Sequence, residues 1–205
     1  MPHVAAVILA AGAGRRMRGA DKLLEPVAGR PALRAVAEAA LASRAAEVVV
    51  VLPPEAPARR AALAGLPVCI VDAADAAEGI AASLRAGLAA VEDRADALVV
   101  LLADMPEVDG AAIDRVIAAF DPGARAAIWR AASADGLPGH PVLFGRRHFP
   151  ALAALTGDQG ARGLLRAAAV VAVPTPGRGA IIDLDTPEDW AAWREASGQT
   201  PPPGD

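Results

Sequence analysis

Short apolar runs alternate with alanine-rich amphipathic segments along most of the chain. Val4–Leu9, Glu47–Leu52, Pro67–Val71 and Ala97–Leu102 have the length of strands, and their hydrophobicity is almost unbroken. An unbroken run predicts a strand covered on both faces, as in a parallel sheet flanked by helices. Between these runs, Pro31–Arg44, Ala56–Ala64 and Gly79–Val91 read as helices. In the first of them Leu33, Val36, Ala37, Ala40 and Leu41 recur with a helical period, while alanine lowers the entropic cost of the helix. The repeated β-α-β order predicts a doubly wound sheet with right-handed crossovers.

The second half is less regular. Ala111–Phe120 reads as a helix and Ala126–Arg130 as a strand; the turn-like Asp135–Gly139 then leads into a strand over Pro141–Phe144. Arg146–Leu155 and Ala161–Ala168 look helical, Val170–Val173 strand-like, and Ile181–Leu184 reads as a last short strand. Thr186 suits a helix N-cap, Pro187 the first helical position, and Glu188 and Asp189 the positive end of the helix that follows. Trp190 and Trp193, three apart on that helix, predict a core or interface stripe. Residues 1–196 read as one domain and Ser197–Asp205 as a disordered tail.

Composition narrows the function. The hydrophobic fraction of 54% is inflated by 54 alanines, and 21% of the residues are charged, as in an ordinary soluble protein. A net charge of −4 argues against a nucleic-acid partner held by phosphate neutralisation. The longest apolar stretches fall far short of the ~20 residues needed to span a bilayer. No basic segment precedes the first of them, so neither a membrane partner nor a signal peptide is expected, and the expected location is cytoplasmic. The one cysteine, Cys69, excludes an intramolecular disulfide and is expected to pack as a small apolar group. With only His3, His140 and His148 beside it, the chain has no zinc-ligand spacing.

The densest chemistry lies between Leu9 and Lys22. A buried strand delivers Gly12 and Gly14, followed by Arg15, Arg16, Arg18 and Lys22, the only lysine beside 19 arginines. In open α/β sheets ligands bind outside the carboxyl ends of the strands, where this loop must lie. Glycines let backbone N–H groups approach a phosphate, and the cations neutralise it. The spacing is neither that of a P-loop nor GxGxxG, since Met17 stands in the third glycine's place. A phosphate site and a tight turn with solvated arginines both remain open on the residues alone. Asp104, just past a buried run, suits either a helix cap or a magnesium ligand; Pro106 and the separate cap candidate Asp109 weaken the first. Asp183 and Asp185, two apart on an extended chain, would share one face.

The segment Leu9–Lys22 resembles the LAAGxGxRM…K signature of nucleotidyltransferases that join a nucleoside monophosphate to a phosphorylated acceptor, in particular the molybdenum cofactor cytidylyltransferase family. The resemblance runs from Val4 to about Trp193 through five further elements in the family's order. These are the EGxxxSLRxGL-like Glu78–Leu88, Asp104-Met-Pro106, the GHPxxF-like Gly139–Phe144, the GDxGAR-like Gly157–Arg162, and Asp183–Asp189, which is similar to (D/N)x(D/N)TPED. Arg18, standing between Met17 and Gly19, makes the loop one residue longer than the family pattern.

The resemblance implies a Rossmann-like three-layer α/β/α sandwich with a mostly parallel sheet. It implies transfer of CMP from CTP to the terminal phosphate of molybdopterin, with Mg²⁺ as cofactor and pyrophosphate as product. Leu9, Ala10, Ala11, Gly12, Ala13, Gly14, Arg15, Arg16, Lys22, Ser83 and Asp104 would bind the nucleotide, and Arg16, Lys22 and Asp104 would be catalytic. Asp104 would hold the metal together with Asp183 or Asp185, the latter being the nearer match. His140, Asp158 and Arg162 would border the acceptor. A molybdoenzyme or its maturation chaperone is an implied partner. Relatives that use GTP tend to read LAGG where this chain has Leu9-Ala-Ala-Gly12. The alternatives are a guanylyltransferase, a sugar- or alcohol-phosphate nucleotidyltransferase, and a non-catalytic molybdopterin carrier.

Overall fold

The fold is described from a computed structural model, for residues 2–12, 14–124 and 127–199. The chain runs β1 (Val4–Leu9), a small hairpin of β2 (Pro26–Val27) and β3 (Arg30–Pro31), α1 (Ala32–Leu41), β4 (Glu47–Leu52), α2 (Pro57–Ala62) and β5 (Cys69–Asp72). It continues through α3 (Ile80–Ala89), β6 (Ala97–Leu102), α4 (Gly110–Ala119), β7 (Ala127–Ala132) and β8 (Pro138–Gly145). The last elements are α5 (Phe149–Ala153), α6 (Arg162–Ala167), β9 (Ala169–Pro174) and α7 (Pro187–Ser197).

Among the described residues one seven-stranded sheet has the order β5-β4-β1-β6-β8-β7-β9. β5, β4, β1 and β6 are mutually parallel; β8 runs antiparallel to both β6 and β7, and β9 is again parallel to β7. β1 sits between β4 and β6, with Val7 opposite Val49 on one side and Val100 on the other. Its alternate residues enter two separate cores. Val4, Ala6 and Ile8 pack with Leu33 and Val36 of α1 and Ile113 of α4, whereas Ala5 and Val7 pack with Leu84 and Leu88 of α3. That division accounts for the unbroken apolar runs: both sheet faces are covered, giving the three-layer Rossmann-like architecture. A third cluster joins Met17, Val27, Leu184, Trp190 and Trp193, so the tryptophan pair is core and fastens α7 beneath the loop after β1.

Four local expectations are corrected. Pro67–Val71 is not a doubly covered strand: β5 starts at Cys69, lies at the sheet edge, and leaves Cys69 exposed rather than packed. Ile181–Leu184 does not form a strand. Both neighbours of β8 in the sheet are already taken, and the segment instead follows a 3₁₀ turn over Gly179–Ile181. Arg146–Leu155 is divided into a 3₁₀ turn, Arg146–His148, and the short α5. The last helix extends to Ser197 and ends on Gly198 in the left-handed region, after which the Gln199 side chain accepts the Ala28 N–H. Residues 200–205 of the expected tail, and Ala126 of the strand expected over Ala126–Arg130, lie outside the described residues.

Thr186 caps α7 as expected, accepting from the Asp189 N–H while Asp189 receives the Thr186 N–H. Asp109 caps α4 by accepting from the Ala112 N–H. Asp104 is thereby free of a capping duty. No helix among the described residues is long and apolar enough to cross a membrane.

Candidate active site

β1 ends at the carboxyl edge of the sheet, and its continuation builds the site. Gly14 adopts φ 56° and ψ 32°, a left-handed conformation that glycine reaches without strain, and opens a 3₁₀ turn over Arg15–Met17. Met17 is buried against the tryptophan cluster. Arg18, the extra residue, also takes the left-handed region (φ 53°) and pairs with Glu188 at the start of α7. The loop absorbs its added length there, and Lys22 still reaches inward. Asp21 caps the next 3₁₀ turn, accepting the Leu23 N–H at 3.1 Å, while Leu23 plugs into the core.

Lys22 Nζ donates to Asp104 Oδ2 at 2.5 Å and to Asp185 Oδ1 at 2.6 Å. Its side chain is only 12% exposed. Burial works against the ammonium charge, but Asp104 and Asp185 outweigh it and hold the amine above its ordinary range. Arg16, largely exposed, reaches the other oxygen of Asp185 at 2.7 Å. Asp104 stands just beyond β6, and its backbone carbonyl accepts the Leu184 N–H, which ties the segment carrying Asp185 to this corner. Asp104 Oδ1 is buried without a hydrogen-bond partner.

A cavity of about 560 Å³ opens beside this corner, bordered by Leu9 and Asp183. Leu84, Val100 and Phe144 give it an apolar lining, and Arg130, His140, Asp158, Arg162 and Arg166 give it a polar one. Burial is the main influence on His140, pushing its pKa down to about 4, so the ring is neutral at neutral pH; a hydrogen bond with the Val100 backbone opposes the shift. Its Nδ1 is closed off and unpartnered. Asp158 packs against Gly79, where a Cβ would collide with its carboxylate, and α6 has Ala161 at its N-cap position, with no side-chain cap. Asp158 is therefore a cavity residue rather than a helix cap.

Arg16, Lys22, Asp104 and Asp185 meet directly; Leu9, His140, Asp158, Arg162 and Asp183 border the adjoining cavity. Ser83 is buried within α3 and is not among the cavity residues. Ala13 lies outside the described residues, as does the side chain of Arg15. Asp104, Asp183 and Asp185 do not form a three-carboxylate cluster, since no group of three acidic, histidine or cysteine ligands occurs among the described residues.

Two arginines of this region carry no clear functional signal in the sequence. Arg130 of β7 donates to the carbonyls of Gly139 (2.9 Å) and Pro138 (3.2 Å), and burial lowers its guanidinium below the ordinary value. Its one trace there is a lone cation in the apolar AIWRAA run. Arg59, on α2, is buried and donates to the loop carbonyls of Ala10 and Gly12 and to both oxygens of Asp21. Nothing in the one-dimensional pattern separates it from the half-buried Arg60.

Comparison with known proteins agrees with this architecture. Residues 6–173 match the family described as the MobA-like NTP transferase domain. The nicotine blue oxidoreductase of Paenarthrobacter nicotinovorans is 35% identical over 171 residues, covering 81% of this chain and 83% of that protein. The purine catabolism protein PucB of Bacillus subtilis is 31% identical, covering 95% and 98%. The crystal structure of Rv0371c from Mycobacterium tuberculosis superposes with a TM-score of 0.82 at 33% identity, covering 95% of this chain and 98% of that one. A second crystal structure of Rv0371c, at a TM-score of 0.79 and 32% identity over 95% and 99%, is a complex with manganese.

Proposed function

The chain belongs to the MobA-like NTP transferase domain family, and from that premise we propose that it transfers CMP from CTP to the terminal phosphate of molybdopterin. The observation that carries the reading is the pairing of Lys22 with Asp104 and Asp185 at the end of β1, beside the glycine loop. A carrier has no need of such a triphosphate grip. Ala11, where GTP-using relatives tend to have glycine, favours the pyrimidine nucleotide.

In the proposed reaction an oxygen of the acceptor phosphate bonds to the α-phosphorus of the nucleotide. The bond from that phosphorus to the bridging oxygen breaks, and pyrophosphate leaves with the electron pair. An ionised acceptor phosphate needs no general base. Loop amides position the polyphosphate, and Arg16 and Lys22 meet the charge that gathers on the leaving group. The four-carbon stem of Lys22 lets its ammonium move from the carboxylates to phosphate oxygens.

Asp104 and Asp185 suit a divalent cation: both offer hard carboxylate oxygens, and Asp104 Oδ1 is buried with no partner. Mg²⁺ is the proposed ion, and the manganese complex of Rv0371c supports a divalent metal in this fold. Such an ion supplies Lewis-acid neutralisation of the phosphates. The neighbouring cavity, lined by cationic Arg130, Arg162 and Arg166 together with apolar side chains, fits a phosphorylated heterocycle.

Pyrophosphate release tests the reading. Purified protein with Mg²⁺ and molybdopterin is given CTP or GTP in parallel, and the reading requires faster release with CTP. Preference for GTP makes the enzyme a guanylyltransferase. Release only with a sugar or alcohol phosphate moves the acceptor class. Absence of release with tight pterin binding supports a carrier, and absence of both leaves room for redox chemistry of the kind named for the Paenarthrobacter relative.

A further inference from the structure

Arg59 projects from the six-residue α2, between β4 and β5, and only 7% of the residue is exposed. Burying a guanidinium is costly unless every donor is used and the charge is paired. Its partners are unusual in where they lie. Nη1 donates to Ala10 O at 2.6 Å and Nη2 to Gly12 O at 3.0 Å, two carbonyls of the glycine loop. Nε and Nη2 donate to the two oxygens of Asp21 at 2.7 and 3.0 Å, a bidentate pair. Asp21 in turn caps the turn on which Lys22 is the first residue. One side chain thus joins the end of β1, the middle of the loop and the base of Lys22.

A glycine loop can turn either its amides or its carbonyls toward a ligand, and a carbonyl repels a phosphate. In a planar trans peptide the C=O and the following N–H point in opposite directions. By engaging the Ala10 carbonyl, Arg59 turns the Ala11 N–H away from α2. By binding Asp21, it fixes the turn from which the Lys22 side chain departs. We propose that Arg59, through Asp21 and the two loop carbonyls, is the positioning residue that sets the glycine loop and Lys22 for a nucleoside triphosphate. The inference rests on the nucleotidyltransferase reading but assigns a task to a residue outside the phosphate-facing set. A lysine cannot replace it, because a single ammonium lacks the fork that spans both carbonyls and the carboxylate.

The test compares wild type with Arg59→Ala, Arg59→Lys and Asp21→Asn, following direct binding of CTP and GTP with Mg²⁺ as well as steady-state pyrophosphate release. Losing charge-assisted hydrogen bonds of this kind should raise the triphosphate Kd and KM by about tenfold or more in all three variants. The acceptor KM should stay within about twofold, because the acceptor cavity keeps its lining. Added guanidinium should restore nucleotide affinity to Arg59→Ala but not to Arg59→Lys, while the split between nucleotide and acceptor KM is what a general loss of structure would not give. If Arg59→Ala does not fold, Arg59→Lys and Asp21→Asn carry the same expectation. Wild-type nucleotide affinity in folded variants overturns the inference, as does an equal loss of acceptor and nucleotide affinity. A wild type that binds neither nucleotide overturns the underlying reading instead.

Discussion

The Lys22 ammonium and the Asp104 carboxylate, 82 residues apart in sequence, meet at 2.5 Å at the carboxyl edge of the sheet. β1 and β6 are adjacent parallel strands, so the loop after one and the aspartate after the other must emerge side by side. Asp185 joins them because Leu184 is hydrogen-bonded to the Asp104 backbone. The meeting is thus a consequence of strand order and one backbone bond, and it concentrates opposite charges where a polyphosphate would settle.

Replacing Lys22 should damage turnover more than folding. A positioned cation that meets developing charge is typically worth ~3 kcal/mol, so Lys22→Ala should release pyrophosphate about a hundredfold more slowly. Lys22→Arg should recover little, since a planar fork cannot follow the migrating charge as an ammonium does. Near-normal turnover in Lys22→Ala would refute the role.

On the proposed reading the same ammonium would compete with a divalent cation for Asp104 and Asp185. Without nucleotide, Lys22→Met should bind Mn²⁺ about tenfold more tightly than wild type, a gain of ~1.4 kcal/mol from relieved competition. Asp104→Asn should lose that affinity, whereas Asp183→Asn, whose carboxylate borders the cavity, should keep it. Equal Mn²⁺ affinities across the four proteins, measured by titration of the free-ion spin signal, would contradict the assignment.

Arg130 should act on the acceptor alone. With its guanidinium aimed by two backbone carbonyls, Arg130→Met should raise the acceptor KM by about tenfold, the worth of a hydrogen bond to a charged group. The nucleotide KM should be unchanged. A change confined to the nucleotide would place Arg130 on the wrong substrate.

His140 should leave a mark on acid stability. Its folded pKa, about 4, lies below its ordinary 6.5 because burial disfavours the charged ring. Between these values the unfolded chain binds the extra proton, so stability falls as pH drops from 6.5 toward 4 and levels off below. The loss approaches ~3 kcal/mol over that window. His140→Gln should flatten that part of a denaturant-midpoint profile; an unchanged slope would mean that the ring titrates normally. Lys22 adds nothing in this range: its raised pKa keeps its contribution complete below 10.5, and it is lost only as pH climbs through the folded value.

Much of the architecture was legible because burial on both sheet faces leaves a plain trace. Val4–Leu9 and Ala97–Leu102 coincide with β1 and β6, and the Leu33/Val36 stripe with the buried face of α1. Legibility failed where tertiary context decided. Pro67–Val71 looks like its neighbours, yet β5 lies at an edge with one neighbour, which also exposes Cys69. Ile181–Leu184 has strand composition but meets no free strand edge on β8. At the site, Lys22 and Asp104 stood out by singularity and by position after a buried run. Arg59 did not, because Arg59 and Arg60 are equivalent letters in an alanine-rich helix until the fold turns one inward to the loop and the other outward to Asp72.

The most direct measurement is a crystal structure with a non-hydrolysable CTP analogue and Mn²⁺. The triphosphate should lie over the end of β1, with Lys22 Nζ on its oxygens and an anomalous manganese peak within ligand distance of Asp104. A nucleotide bound elsewhere, or manganese held by carboxylates other than Asp104, would contradict this placement.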